Sequence, residues 1–204
     1  MRTRTFAFTV LAIGALGYAA SMTAAPGQTT APAPSAAGES FKVDPVHSAI
    51  IFGIKHLGAS YFYGRINGPE GTFHFNPDDV SACSFDIKAK AQNIDTDNGM
   101  RDSDLKSENF FSAKQFPEIS FKSTTVKKQG KDTYQVAGNL ALHGVTKPIT
   151  IDLEHVGTKD HPKFGHRCGF RTTFTIKRSD FGMTFMLPDD LGDEVMLIIG
   201  FEGK

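Results

Sequence analysis

The feature that most constrains this chain is a period of two. From residue 41 to residue 202 apolar and polar side chains alternate, and such a stretch gathers its apolar groups on one side only when it runs as a β-strand. Residues 48–56 set Ile50, Phe52 and Ile54 on one face. Residues 60–68 oppose Phe62, Gly64 and Ile66 to Tyr61, Tyr63 and Arg65. Phe73 and Phe75 share a face of 71–75, and 84–91 opposes Phe85, Ile87, Ala89 and Ala91 to Ser84, Asp86, Lys88 and Lys90. The same rhythm runs through 118–126 (Ile119, Phe121), 133–142 (Tyr134, Val136, Leu140, Leu142) and 147–155 (Ile149, Ile151, Leu153). It ends in 167–177 (Cys168, Phe170, Phe174, Ile176) and 194–202 (Val195, Leu197, Ile199, Phe201).

Short joints such as Asn67-Gly68-Pro69 and Gln129-Gly130-Lys131 favour antiparallel neighbours, because parallel strands need long crossovers. Roughly eight or nine such strands form a two-sheet sandwich or a barrel, and about eight close around room for one small ligand. Residues 95–115 break the rhythm. Asp97 or Asn98 caps a short helix reaching about Lys106, and Phe110, Phe111 and Phe116 follow it. That segment is expected to cover one side or end of the sheet. Met196 and Ile198 make the second face of the last strand apolar as well.

Ahead of the strands lies a segment of another kind. Met1-Arg2-Thr3-Arg4 is cationic, residues 6–20 are apolar, and small residues follow, which is the pattern of a secretory signal peptide over 1–25. The apolar run falls short of the ~20 residues a spanning helix needs. Residues 26–40 are rich in Pro, Ala, Ser and Thr and read as a flexible tether. The expected domain is 41–204, without stable membrane insertion of the mature protein.

Composition narrows the function. Lys and Arg number 22 against 22 Asp and Glu, which excludes the basic surplus a nucleic-acid binder needs. The chain carries 18 Phe, 4 Tyr and no Trp, a large apolar surface with no polar atom asking for a partner. These rings either fill a solid barrel or line an open slot. In a slot, eight to ten buried ligand carbons contribute roughly 6–8 kcal/mol before association costs, so a long hydrocarbon binds with no charged anchor.

No motif of nucleophilic, phosphate-binding or zinc chemistry is present: G-x-S-x-G, Walker A, C-x-x-C and H-E-x-x-H are all missing. His47, His56, His74 and His143 fall at strand ends or turns, and His161 and His166 in a loop. Arg101-Asp102 and Arg178-Ser179-Asp180 either brace corners or present one arginine to a ligand head group at the barrel mouth. Cys83 and Cys168 either pair in an oxidising compartment or act as small buried hydrophobes.

Taken in order, several blocks resemble the YceI-like family of bacterial lipid-binding proteins. They are Asp44-Pro45-Val46-His47-Ser48, Lys55-His56-Leu57-Gly58-Ala59-Ser60, Arg101-Asp102 with Leu105, Asn109-Phe110-Phe111, and Phe116-Pro117-Glu118-Ile119-Ser120-Phe121. Then come 138–148, Arg178-Ser179-Asp180-Phe181-Gly182-Met183 and Gly192-Asp193-Glu194-Val195. The resemblance covers nearly all of 41–204. It implies an all-β, extended lipocalin-like antiparallel barrel in the periplasm. It also implies a bound polyisoprenoid, quinone tail or similar long-chain amphiphile, with no further cofactor, no metal and no catalytic residues.

Alternation selects Phe52, Ile54, Phe62, Phe85, Ile87, Phe121, Leu140, Phe170, Phe174 and Met183 as cavity lining, with Arg101, Phe110, Phe111 and Arg178 at the lid or mouth. A slip of one residue reverses a whole strand. Two other classes stay open. One is a hydrolase or isomerase of a lipid-like substrate with His56 or His143 as general base. The other is a stress-related interaction module whose lipid is structural. A homodimer is also compatible with the sequence.

Overall fold

The computed structural model describes residues 37–204. The expected signal peptide, and the tether up to residue 36, lie outside the described residues.

Eleven strands form one antiparallel sheet. They are β1 (Glu39–Lys42), β2 (Ala49–His56), β3 (Ser60–Ile66), β4 (Glu70–Phe75), β5 (Ser84–Lys90), β6 (Ile94–Asp95), β7 (Glu118–Lys128), β8 (Thr133–Leu142), β9 (Val145–His161), β10 (Gly165–Lys177) and β11 (Leu191–Gly203). Nine of them match the alternating segments; β1 and β6 are too short for alternation to reveal. The order across the sheet is β1-β4-β5-β7-β8-β9-β10-β11-β2-β3-β6. The one α-helix among the described residues, α1 (Gly99–Lys106), is capped by Asn98, whose side chain accepts from the Arg101 backbone N–H. No described helix is long and apolar enough to cross a membrane.

Local chemistry sets the joints. The β2–β3 and β8–β9 hairpins turn on Leu57-Gly58 and His143-Gly144, with both residues of each pair at positive φ. Such turns match the twist of the strands they join. His143 therefore occupies a turn position, and its Nδ1 lies 2.9 Å from the Phe181 carbonyl oxygen. Register slips between Ser123 and Thr125 on β7 and between Gly169 and Phe170 in the β9–β10 pair. A bulge of this kind reverses the inward parity beyond it, which is why Val126 joins Phe121 on the inner side despite the odd spacing.

The sheet curls until its leading segment meets its last strand. Lys42 and Lys204 exchange backbone hydrogen bonds of 2.9 Å, Asp44 N–H donates to the Glu202 carbonyl at 2.7 Å, and Val43 N–H donates to that of Gly71 at 3.0 Å. Residues 42–44 thus lace β11 to β4 at one end. Asp44, 3% exposed, secures the clasp. Its carboxylate accepts from the Val46 N–H at 3.1 Å and lies 3.1 Å from His47 Nδ1 and 3.2 Å from Lys204 Nζ.

That end is solid. Phe41, Phe73, Phe75, Phe85, Tyr134, Phe170 and Phe201 belong to one buried cluster. Phe170 is its hub, with ring centroids 5.1 Å from Phe75, 5.2 Å from Phe85, and 5.5 Å from both Phe73 and Phe201. Cys83 and Cys168 are buried in the same cluster as free thiols, and burial pushes the Cys168 thiol up to about 11.

Two outcomes follow. Phe170→Ala should lower unfolding free energy by about 3–5 kcal/mol in urea titration, because four rings lose their common neighbour. His47 and the other partners hold the Asp44 carboxyl down to about 2, whereas an unfolded carboxyl titrates near ~3.9. The stabilisation is therefore complete above about pH 4 and is lost as pH falls toward about 2. Asp44→Asn should be less stable than the parent at neutral pH, and the difference should shrink below about pH 3 in acid-unfolding curves.

Candidate functional site

At the other end the same strands carry different side chains. β8 moves from Tyr134 and Val136 in the solid cluster to Leu140 and Leu142, and β11 moves from Phe201 to Leu197, Val195 and Leu191. β2 offers Phe52 and Ile54 there, and β10 offers Ile176. Beside these side chains a cavity of about 700 Å³ remains. That volume falls within the range of small-molecule sites.

Strand pairing does not lace this end. β11 pairs with β2, which leads on to β3 and β6, and α1 with the residues after it covers the remaining side. Leu105 and Phe111 pack with Phe52 and Ile66, and Phe111 also packs with Leu140, Phe181 and Met183. The mouth is bordered by Phe110 and Phe185, whose rings meet edge to face at 5.3 Å. Tyr61, Met100 and Phe185 line the cavity and remain 59%, 80% and 45% exposed. Gly64 faces Phe52 across the β2–β3 pair. A Cβ there would strike the Phe52 ring, so glycine is what lets that ring lie flat against the wall.

Of the expected lining, Phe52, Ile54, Phe62, Leu140 and Met183 border the cavity, as do Arg101, Phe110, Phe111 and Arg178. Phe85 and Phe170 instead lie in the solid cluster, with Ile87, Phe121 and Phe174 packed against it. Alternation reports which face is inward but not the height along the axis, so it placed rings from both ends on one wall. Ile66, Leu142, Ile176, Leu191, Val195 and Leu197 also line the cavity and were not selected. All but Leu191 sit on faces that alternation had marked as apolar.

Two arginines border this apolar space. Arg178 is 3% exposed. Its Nε donates to the Gly192 carbonyl at 2.8 Å, Nη1 to Met183 and Phe185 at 2.9 and 2.8 Å, and Nη2 to Leu191 at 3.0 Å. It therefore fixes both arms of the 182–192 loop. Burial pulls its guanidinium below the ordinary value. Burial also works against ionisation of Asp193, but the Ser179 backbone N–H at 2.9 Å and hydroxyl at 2.8 Å, with Arg178 nearby, hold it below the usual carboxylate range. Arg101 lies over the Phe62 ring, 4.1 Å from its centroid.

His143 and His56, the two candidate general bases, are placed differently. His143 is held by Phe181 and by the Phe116 ring, 4.9 Å away. His56 borders the cavity, but among the described residues no hydrogen-bonded carboxylate orients its ring. Asp44, His47 and Glu202 bring ligand atoms within 4.8 Å of one another. Lys204 and Arg167 already bring cations to those carboxylates, at 3.2 and 3.1 Å, and none of the three residues lines the cavity. The cluster acts as the clasp of the closed end.

The chain belongs to the YceI-like domain family, which matches residues 41–202. A UPF0312 protein of Pectobacterium atrosepticum is 39% identical over 186 residues, covering 90% of this chain and 94% of that one. The crystal structure of a YceI protein from Campylobacter jejuni superposes with a TM-score of 0.63 at 28% identity, over 74% of this chain and 89% of the other. A domain from Saccharophagus degradans, described as polyisoprenoid-binding, shares the fold with a TM-score of 0.61 at 12% identity, over 80% of this chain and 97% of its own.

Arg178→Met should leave four carbonyls without their donor. Hydrogen exchange of residues 182–192 should accelerate, and stability should fall by about 2–4 kcal/mol in chemical denaturation.

Proposed function

We propose that this member of the YceI-like family binds a long-chain isoprenoid lipid in its apolar cavity and stores or carries it in the periplasm. The observation that carries the reading is the uneven filling of the curled sheet. Rings fill one end, while the other keeps about 700 Å³ bounded by Phe, Ile, Leu, Val and Met side chains. Water gains little in such a space, whereas each methylene moved into it from water contributes roughly 0.8 kcal/mol. The polyisoprenoid-binding description of the Saccharophagus domain points the same way at the level of fold. The leader-like residues 1–25 support export. The protein acts here as a binder rather than an enzyme. The family match and the polyisoprenoid-binding description of the Saccharophagus domain support that reading.

Protein purified without detergent and extracted into organic solvent should release a long-chain lipid detectable by mass spectrometry. Delipidated protein should gain thermal stability on addition of geranylgeraniol. Leu105 on α1 is half-buried at the wall. Leu105→Trp should occupy tail volume and cut geranylgeraniol affinity at least about tenfold while the thermal transition stays cooperative. Absence of lipid in the extract, together with no uptake of geranylgeraniol, rejects the reading.

A further inference from the structure

Three residues line the cavity and yet stand exposed to water: Tyr61, Met100 and Phe185. They therefore mark its opening. Tyr61 comes from β3, Met100 from the first turn of α1, and Phe185 from the 182–192 loop. A fourth apolar side chain belongs with them. Leu57, at the tip of the β2–β3 hairpin, is 58% exposed, and its N–H donates to the Asp190 carbonyl at 2.8 Å, which ties the tip to the same loop. None of the four belongs to or packs against the buried clusters of the described residues.

Folding does not account for these side chains. Leu57 sits at a φ of 52°, a left-handed conformation that favours Asn, Asp or Gly and penalises leucine. His143 holds the equivalent place in the β8–β9 hairpin, where its ring meets the Phe181 carbonyl and Phe116. Leu57 keeps more than half of its surface in water instead. Charge narrows what such a rim can meet. The bounding segments 55–61, 97–110 and 182–193 carry more Asp and Glu than Lys and Arg. That balance suits neither an anionic surface nor an acidic partner, whose capture needs a basic patch. Exposed aliphatic side chains with a tyrosine among them suit the head-group boundary of a zwitterionic bilayer, where an amphipathic ring has one end dry and the other wet. A long lipid tail stays in a bilayer because exposing its methylenes to water is costly. It reaches an apolar cavity without crossing water only where rim and bilayer touch.

We propose that the rim formed by Leu57, Tyr61, Met100 and Phe185 docks on a phospholipid bilayer and sinks these side chains to the level of the head groups. The cavity then opens directly onto the acyl region, and the tail passes between the two without an aqueous step. This rests on the reading of the cavity as a site for a lipid tail and adds where the lipid comes from and which face of the protein receives it.

The chain contains no Trp, so a single introduced Trp reports on its own surroundings. Leu57→Trp should show a blue-shifted emission on addition of phosphatidylcholine vesicles, and brominated phosphatidylcholine should quench it. Val46→Trp, beside Asp44 at the closed end and exposed in the parent, should show neither change. Replacing part of the phosphatidylcholine with phosphatidylglycerol should not strengthen binding, because the rim has no basic surplus. Leu57→Asn suits the left-handed turn and should fold as well as the parent. It should cosediment with phosphatidylcholine vesicles at least about threefold more weakly while keeping its affinity for geranylgeraniol, since Leu57 does not line the cavity. An unchanged Leu57→Trp spectrum overturns the docking, as does an equal shift in Val46→Trp or parent-like cosedimentation of Leu57→Asn. A Leu57→Trp blue shift that grows with protein concentration in the absence of vesicles also overturns it, in favour of a second copy at the rim. Vesicle binding and geranylgeraniol uptake are read separately: loss of docking with uptake intact leaves the tail site standing, and docking without uptake overturns the tail site alone.

Discussion

The structure depends on how ring volume is distributed along a single curled sheet. Antiparallel strands with one apolar face curl around an interior that is filled at one end and open at the other. Phenylalanine rings on facing strands reach one another, and Phe170 alone touches four. Further along, β8, β10 and β11 carry leucine, valine and isoleucine instead, and a cavity remains beside them. The closed end supplies the cohesion that an open cavity withholds. Its dense packing offsets the dispersion attraction that side chains bordering a void go without.

Much of this was legible in the residues. The nine long strands, their apolar faces, the helix and its Asn98 cap all follow from spacing and capping chemistry. Three things did not. Strands of four and two residues, β1 and β6, are too short to show a period. The bulge on β7 changes parity without any distinguishing residue type. Axial height is invisible to a pattern that repeats every two residues. Phe52 and Phe85 look alike in sequence, yet one lines the cavity and the other lies in the solid cluster. Height is set by which residue of one strand stands opposite which residue of the next, and those pairings join positions far apart in the chain.

The polar groups around the cavity illustrate why residue type alone does not assign a role. Arg101 and Arg178 both stand close to aspartates in sequence, and both could have been corner braces. The bonding separates them. Arg178 spends its donors on one loop, while Arg101 is held by Thr96 and Phe62. His143 stands where a base was conceivable, but a left-handed turn position beside a glycine accounts for its placement.

The lacing of Lys42 to Lys204 also fixes where the end of β11 lies. β11 runs thirteen residues from Leu191 at the cavity to Gly203 beside the ring cluster, a path of roughly 40 Å at the rise of a strand. Lys204 therefore lies at the pole opposite the opening. A reporter domain or surface tether appended after Lys204 would leave the entrance unobstructed, so the protein can be immobilised by its tail with its receptacle facing the solvent.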